Sequence, residues 1–240
     1  MNFHALALAR DRGPIGALLL TQAASEEVFE WLRDQSRVGA WSVERIESEP
    51  QSLHLKRQDE EMLVVCGRQI ATQQGLEVLA LGTDQKFADG LGLENTLAEV
   101  RKSGALPVLP WGFGKWFGRR GRRVRDVLAG RVSEPLWVGD SGGRLRGLRR
   151  PKLLDEAESR AIRVLPGTDP FPFKRDYRRV GGFGCLVAVT YDRSRPWQSI
   201  VERLGEMRTS PQPYGRATGW FDFGVKQFWI QVHMRLPGRS

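Results

Sequence analysis

Short apolar runs recur along the first 190 residues, separated by segments with helical spacing, and most of them empty into a loop rich in Gly or Pro. That succession restricts the fold more than any other feature. The run ALLL (17–20) ends in Thr21 and Gln22. Val28, Phe29 and Leu32 then fall on one helical face behind Ser25, a residue suited to an N-cap. WSVERIE and SLHLKR alternate as half-buried strands, whereas MLVVCG is continuously apolar, as a strand covered on both faces would be. LEVLALG reads as a strand after a turn at Gln73 to Gly75, and LENTLAEVRK as a helix stopped by Gly104. LPVLP is a strand whose loop, WGFGKWFGRRG, opens a helix from Arg122 to Ala129. LWVG is a strand ended by DSGGR, Lys152 to Arg160 a helix, and IRVLPG a strand ended by TDPFP. Strands alternating with helices in this way predict parallel βαβ units, with ligands beyond the carboxyl ends of the strands. The tail departs from the pattern. GCLVAVTY is a strand, PWQSIVERLGEM a helix, GWFDFG and KQFWIQVHMRL marginal antiparallel strands, and RTSPQPYGRATG an exposed linker.

A chain of 240 residues that is 40% hydrophobic and 27% charged can bury a sizeable core, so disordered and fibrous classes are excluded. No stretch reaches the roughly 18 to 20 apolar residues of a membrane span, and MNFHALALARDRG lacks the pattern of a secretory leader. The expectation is a cytoplasmic protein without a membrane partner. Cys66 and Cys185, far apart and outside any CxxC motif, read as two buried free thiols. The net charge of +9 is concentrated at Arg119 to Arg125 and Arg144 to Lys152. Such clusters attract phosphates or nucleic acid, and a solvated face has the same composition. Nucleic-acid binding is an alternative function, although no helix-turn-helix, zinc-finger or RNA-binding signature accompanies the charge.

The three histidines, His4, His54 and His233, share no local motif, which argues against an imidazole-rich metal centre. Glu77, Asp140 and Asp169 could hold a hard cation such as magnesium or manganese, or could cap helices and turns. LPWGFGKWFGRRG is the most unusual loop. Gly112 and Gly114 allow close backbone approach, Lys115 brings a point charge, and Trp111 and Trp116 bring stacking faces suited to a sugar-like or phosphorylated ligand. The same tryptophans could equally pack as structure. GDSGGR offers Asp140, Ser141 and Arg144, and GTDPFP offers Thr168 and Asp169, each at a strand end or in a turn. No GxSxG elbow is present.

Taken in order, CGRQIAT, GLEVLALG, GALPVLPWGFGKW, VGDSGGR, VLPGTDPFP and RRVGGFG resemble the strand-end loops of the polymerase-and-histidinol-phosphatase (PHP) superfamily over about residues 17–190. The resemblance implies an α/β fold, a distorted (β/α)7 TIM-like barrel of PHP type, with metal-dependent phosphoester hydrolysis. It implies one domain over 1–240, with a barrel core of about 17–190 and a C-terminal helix and strand extension of 191–240. The family's HxH strand has no counterpart, because the amino terminus reads as a helix, so the first strand would be lacking. Gln69 stands where a glutamate ligand is expected, Pro110 and Trp111 where His-Pro is expected, and Asp169-Pro170-Phe171 where Asp-x-His is expected.

Either the metal site is degenerate, or the HxH strand lies upstream of this reading frame. Under the first reading a small polar or phosphorylated ligand binds at the rim. Gln69, Trp111, Gly112, Gly114, Lys115, Trp116, Arg144 and Thr168 then contact it, with Asp140 and Asp169 as acceptors. Under the second reading Asp140 and Asp169 are catalytic, Asp169 being a ligand for Mn, Mg or Zn. A divalent cofactor is not expected to bind tightly. The exposed sheet edge of an incomplete barrel suggests a homodimer.

Overall fold

A computed structural model of the chain describes residues 2–9, 15–112, 114–130, 135–142, 149–168 and 179–215. Its elements in chain order are β1 (Asn2–Ala9), β2 (Ile15–Gln22), α1 (Val28–Arg33), β3 (Arg37–Val38), β4 (Trp41–Arg45), β5 (Ser52–Arg57), β6 (Glu60–Ala71) and β7 (Glu77–Leu81). There follow α2 (Leu93–Lys102), β8 (Leu106–Pro110), α3 (Gly118–Ala129), β9 (Trp137–Ser141), α4 (Lys152–Ser159), β10 (Val164–Gly167), β11 (Phe183–Ala188), α5 (Pro196–Glu206) and β12 (Gln212–Gly215). All twelve strands belong to one mixed sheet, with the main path β10-β9-β8-β7-β6-β2-β1-β11-β12 and the β3-β4-β5 meander branching from β6.

The branch follows from the length of β6. Its first half pairs with β5, from Arg57↔Glu60 to Ser52↔Val65, and its second half with β7, from Gly67↔Leu81 to Ala71↔Glu77, while β2 runs parallel along the opposite side.

The expected parallel (β/α)7 barrel of PHP type is not what forms. The sheet is open along its path and mixed, with antiparallel ladders at β1–β2, β6–β7 and β7–β8, and the described residues contain five helices. The five-residue link from Ala71 to Glu77 is a hairpin connection. A parallel crossover needs about a dozen residues or more, so this link forces antiparallel pairing. After β7 the segment 82–92 carries the chain back to the other end of the sheet before α2 begins, and β8 therefore also runs against β7. Only β8-α3-β9 and β9-α4-β10 are the parallel units expected.

The amino terminus is likewise a strand and not a helix: β1 pairs antiparallel with β2 and parallel with β11. The segment read as a linker contains β12. The α1 terminus lacks the expected Ser25 cap. Glu27 holds the N-cap position, and the Phe29 amide instead donates to Gln22 Oε1 at 3.0 Å. The expected strands 219–224 and 226–236 lie outside the described residues. Among the described residues no helix is long and apolar enough to cross a membrane.

Three apolar clusters follow from side-chain alternation. On the inner face of the curled sheet, Ile15, Ala17 and Leu19 join Leu63, Val65, Leu79, Leu81, Val108, Trp137, Leu165, Cys185 and Val187, with Trp197, Ile200 and Leu204 of α5 packed into one end. On the outer face, α2, α3 and α4 cover Ile70, Val78, Leu109, Val138 and Val164. Phe29 of α1 covers Leu20, Leu53, Val64 and Cys66. Cys66 and Cys185 are free and buried, and burial pushes both thiols up to about 12, which leaves them unreactive as thiolates.

Helix α5 is tied at both ends by charges that suit its dipole. Glu49, buried in the β4–β5 turn, accepts from the Trp197 amide at 2.7 Å and the Gln198 amide at 2.9 Å. Arg163 donates to the carbonyls of Leu204, Gly205 and Met207 and lies 4.8 Å from the Trp137 ring centroid.

Ahead of α5, Tyr191 and Arg193 fold over β5. His54 is 4% exposed, with Nδ1 3.2 Å from Glu61 Oε1 and Nε2 3.4 Å from both the Tyr191 hydroxyl and the Arg193 carbonyl. Arg193 Nη2 lies 2.6 Å from Glu61 Oε1. Burial lowers the His54 pKa from 6.5, and the nearby Glu61 only partly offsets that. The unfolded chain therefore binds more protons than the native one below about pH 6.5, so stability falls as the solution is acidified and levels off once the native imidazole is also protonated. Urea melts at pH 7.5 and pH 5.5 should show a larger loss for the wild type than for His54→Gln. Equal losses would contradict this assignment.

Candidate functional site

The inner face changes character at one level on several strands. On β2, β6, β7 and β9 the residues two or four beyond the apolar Leu19, Val65, Leu79 and Trp137 on the same face are Thr21, Gln69, Glu77 and Ser141. Pairing places them at a common end: Gln22↔Arg68 and Ala71↔Glu77 mark the ends of their ladders, and Gly167↔Ser141 that of β9–β10. Helix α5 fills the opposite end, so the concave face has an apolar floor and a polar rim.

The rim is knotted together at β9 and β10. The Gly142 amide donates to the Gly167 carbonyl at 2.8 Å, and Arg179 Nη2 to the Gly142 carbonyl at 3.3 Å. The Thr168 hydroxyl, 3% exposed, donates to the Phe183 carbonyl at 2.9 Å and accepts from the Gly181 amide at 3.1 Å. A Cβ on Gly142 would sit 2.9 Å from the Thr168 carbonyl and 2.9 Å from Phe183 Cβ, so glycine is what lets the two ends of the curled sheet meet here. At the β7–β8 side, Lys115 Nζ lies 2.5 Å from Glu77 Oε1. The Lys115 stem rests on Gly112, where a Cβ would come 2.9 Å from Lys115 Cδ.

The structure therefore brings Gln69 and Lys115 to one end of the inner face beside Glu77 and Arg179, while Thr21, Ser141 and Thr168 at the same end are buried. It does not gather the remaining candidates. Trp111 and Trp116 are 8% and 5% exposed and pack in the helix-covered cluster with Ile70, Leu76 and Val124, where they fill volume. Asp140 is buried, but alternation puts it with Val138 on the helix-covered face, opposite Ser141. Gly114, at φ +75, shapes a turn whose carbonyl accepts from Arg120 Nη2 at 3.0 Å. Arg144 and Asp169 lie outside the described residues. Among the described residues no group of three or more His, Cys, Asp or Glu side chains could hold a metal ion.

Thr21 and Arg179 were not among the sequence candidates. Thr21 was legible as the first polar inner residue after Ala17 and Leu19. Arg179 has only the glycines beyond it as a signal, since nothing local says that 179 returns to the end of β9.

The outer side of the same end carries the best-formed ionic network. Arg68, 2% exposed, donates to the carbonyls of Glu26 at 3.0 Å and Asp84 at 2.9 Å and pairs with Glu30. Gln22 Nε2 donates to the other Glu30 oxygen at 2.8 Å. Burial alone would raise the Glu30 pKa, but hydrogen bonds from Gln22 and Arg68 outweigh it and hold the carboxyl below its ordinary value. This network fixes α1 and the 82–86 segment against the ends of β2 and β6.

Fold and site define a curled mixed sheet with a polar rim at one end and a helix closing the other. No protein-family model matches the chain, and no curated protein matches it. Among solved structures, PsfC from Pseudomonas syringae PB-5123 superposes with a TM-score of 0.52 at 14% identity, over 91% of this chain and 84% of PsfC. At that identity the likeness is one of fold alone. The PHP resemblance is thus overturned by the open mixed sheet, and the hydrolase character drawn from it loses its support.

Proposed function

We propose that the chain binds a small polar or phosphorylated ligand at the rim of the concave face. The observation that carries this reading is the switch from apolar to polar residues on the inner face at one level of β2, β6, β7 and β9. Ligand sites combine an apolar lining with a few placed polar groups, and this face has that pattern. Gln69 supplies an amide donor and acceptor, and Lys115 and Arg179 supply cations for an anionic group. Glu77 holds Lys115 against the strand ends and would exchange it with an incoming anion.

Calorimetric titration with inorganic pyrophosphate and with ribose 5-phosphate tests the reading. Saturable binding should weaken about tenfold, roughly 1.4 kcal/mol, in Gln69→Leu and in Arg179→Met. Undiminished binding in both variants would reject the rim as the site.

A further inference from the structure

The second surface concerns α3 and α4, and it is independent of whether the rim binds a ligand. Both helices follow strands of one direction and precede strands of the same direction, so they run parallel to each other across the outer face. Arg125 Nε contacts Glu156 Oε2 at 3.2 Å, which fixes their register. One turn toward the rim from that pair stand Arg122 on α3 and Lys152 on α4, three and four residues earlier. Arg119 lies a further turn up on α3, and Arg149 just ahead of α4. Arg119, Arg122, Arg149 and Lys152 are exposed, and none has a carboxylate partner among the described residues.

Elsewhere on the described surface most cations are answered: Arg33 by Asp84, Arg45 by Asp34, Lys56 by Glu44, Lys86 by Glu27 and Arg203 by Glu206. Arg120, beside Arg119, donates to the carbonyls of Gly75 and Gly114 and so adds an uncompensated positive charge to the same end. Phe117, at the head of α3, is 62% exposed.

We propose that the α3–α4 groove binds the phosphate backbone of a single-stranded nucleic acid. The charges form a line along a groove, which suits a chain of phosphates better than a flat bilayer. Three of the four are guanidinium forks, whose geometry matches phosphate oxygens. Phe117, exposed at the end of the line, adds aromatic surface beside the charges, the combination single-stranded sites use.

The test is fluorescence anisotropy of the full chain with a labelled 12-nucleotide oligothymidylate, titrated with salt. Four backbone contacts predict a slope of log K against log salt of about −2.8, a loss of roughly 50-fold between 50 and 200 mM. Arg119→Gln/Arg122→Gln should halve the slope, leaving a loss of roughly 7-fold. Arg160→Gln, an exposed cation at the far end of α4, should leave the slope unchanged. If the α3 double variant does not fold, Lys152→Gln on the neighbouring helix gives the same reading, with the slope reduced by about 0.7. An unchanged slope in these variants overturns the proposal. So does binding to phosphatidylserine vesicles without binding to the oligonucleotide, which would assign the groove to a membrane surface.

Discussion

Replacing Arg68 by Ala should lower the stability of the protein by about 3 kcal/mol, near the lower end of what removing one partner of a buried ion pair costs. The reason lies in what the guanidinium leaves behind. Glu30 loses the charge that holds its carboxyl ionised against burial, and the carbonyls of Glu26 and Asp84 lose their donor. All three belong to segments that Arg68 joins to one another at β6, so α1 and the 82–86 segment should loosen together. In a protein of this length the loss corresponds to a fall of roughly 6 to 12 °C in melting temperature. A scan of Arg68→Ala beside the exposed Arg57→Ala checks it, since the second should change little. A shift of under 2 °C for Arg68→Ala would show that the network is replaceable by water.

Gly82→Ala should be nearly as damaging, for a different reason. Gly82 has φ +82, and a Cβ there would fall 1.8 Å from Trp197 Nε1 and 2.1 Å from its Cε2. The left-handed backbone costs an alanine about 1 kcal/mol or more, and displacing a buried indole adds about 1 to 3 kcal/mol. Because Trp197 anchors α5 on the apolar floor of the sheet, the clash should be relayed to Ile200 and Leu204. A double-mutant cycle with Trp197→Leu separates the two parts. The alanine should cost clearly less once the indole is gone, and an equal cost in both backgrounds would place the whole penalty in the backbone.

Strand and helix positions were legible because alternation and helical spacing are local: Leu93, Leu97 and Val100 all turn inward from α2, and Val124 and Leu128 from α3. Pairing direction was not legible from those patterns. The Ala71 to Glu77 link was short enough to announce a hairpin, but reading it as one step of a parallel series led to the barrel. Nothing in 82–92 signals that this segment reverses the chain before α2.

The site divided along the same line. Gln69 and Thr168 stand at or near strand ends and Lys115 in the loop after β8, while Trp111 and Trp116, which read as stacking faces, are buried in the helix-covered core. A tryptophan among glycines looks the same in sequence whether a helix covers it or a ligand does. Asp140 and Ser141 stood together in the sequence, and the two-residue period of the strand sends them to opposite faces.

The most direct measurement is a map of backbone amide shifts in isotope-labelled protein as inorganic pyrophosphate is added. The rim assignment predicts saturable shifts confined to Thr21, Gln69, Ser141, Gly142 and Thr168, with α3 unmoved. Shifts confined to Arg119 through Arg125, or no saturable shifts at any rim residue, would contradict it.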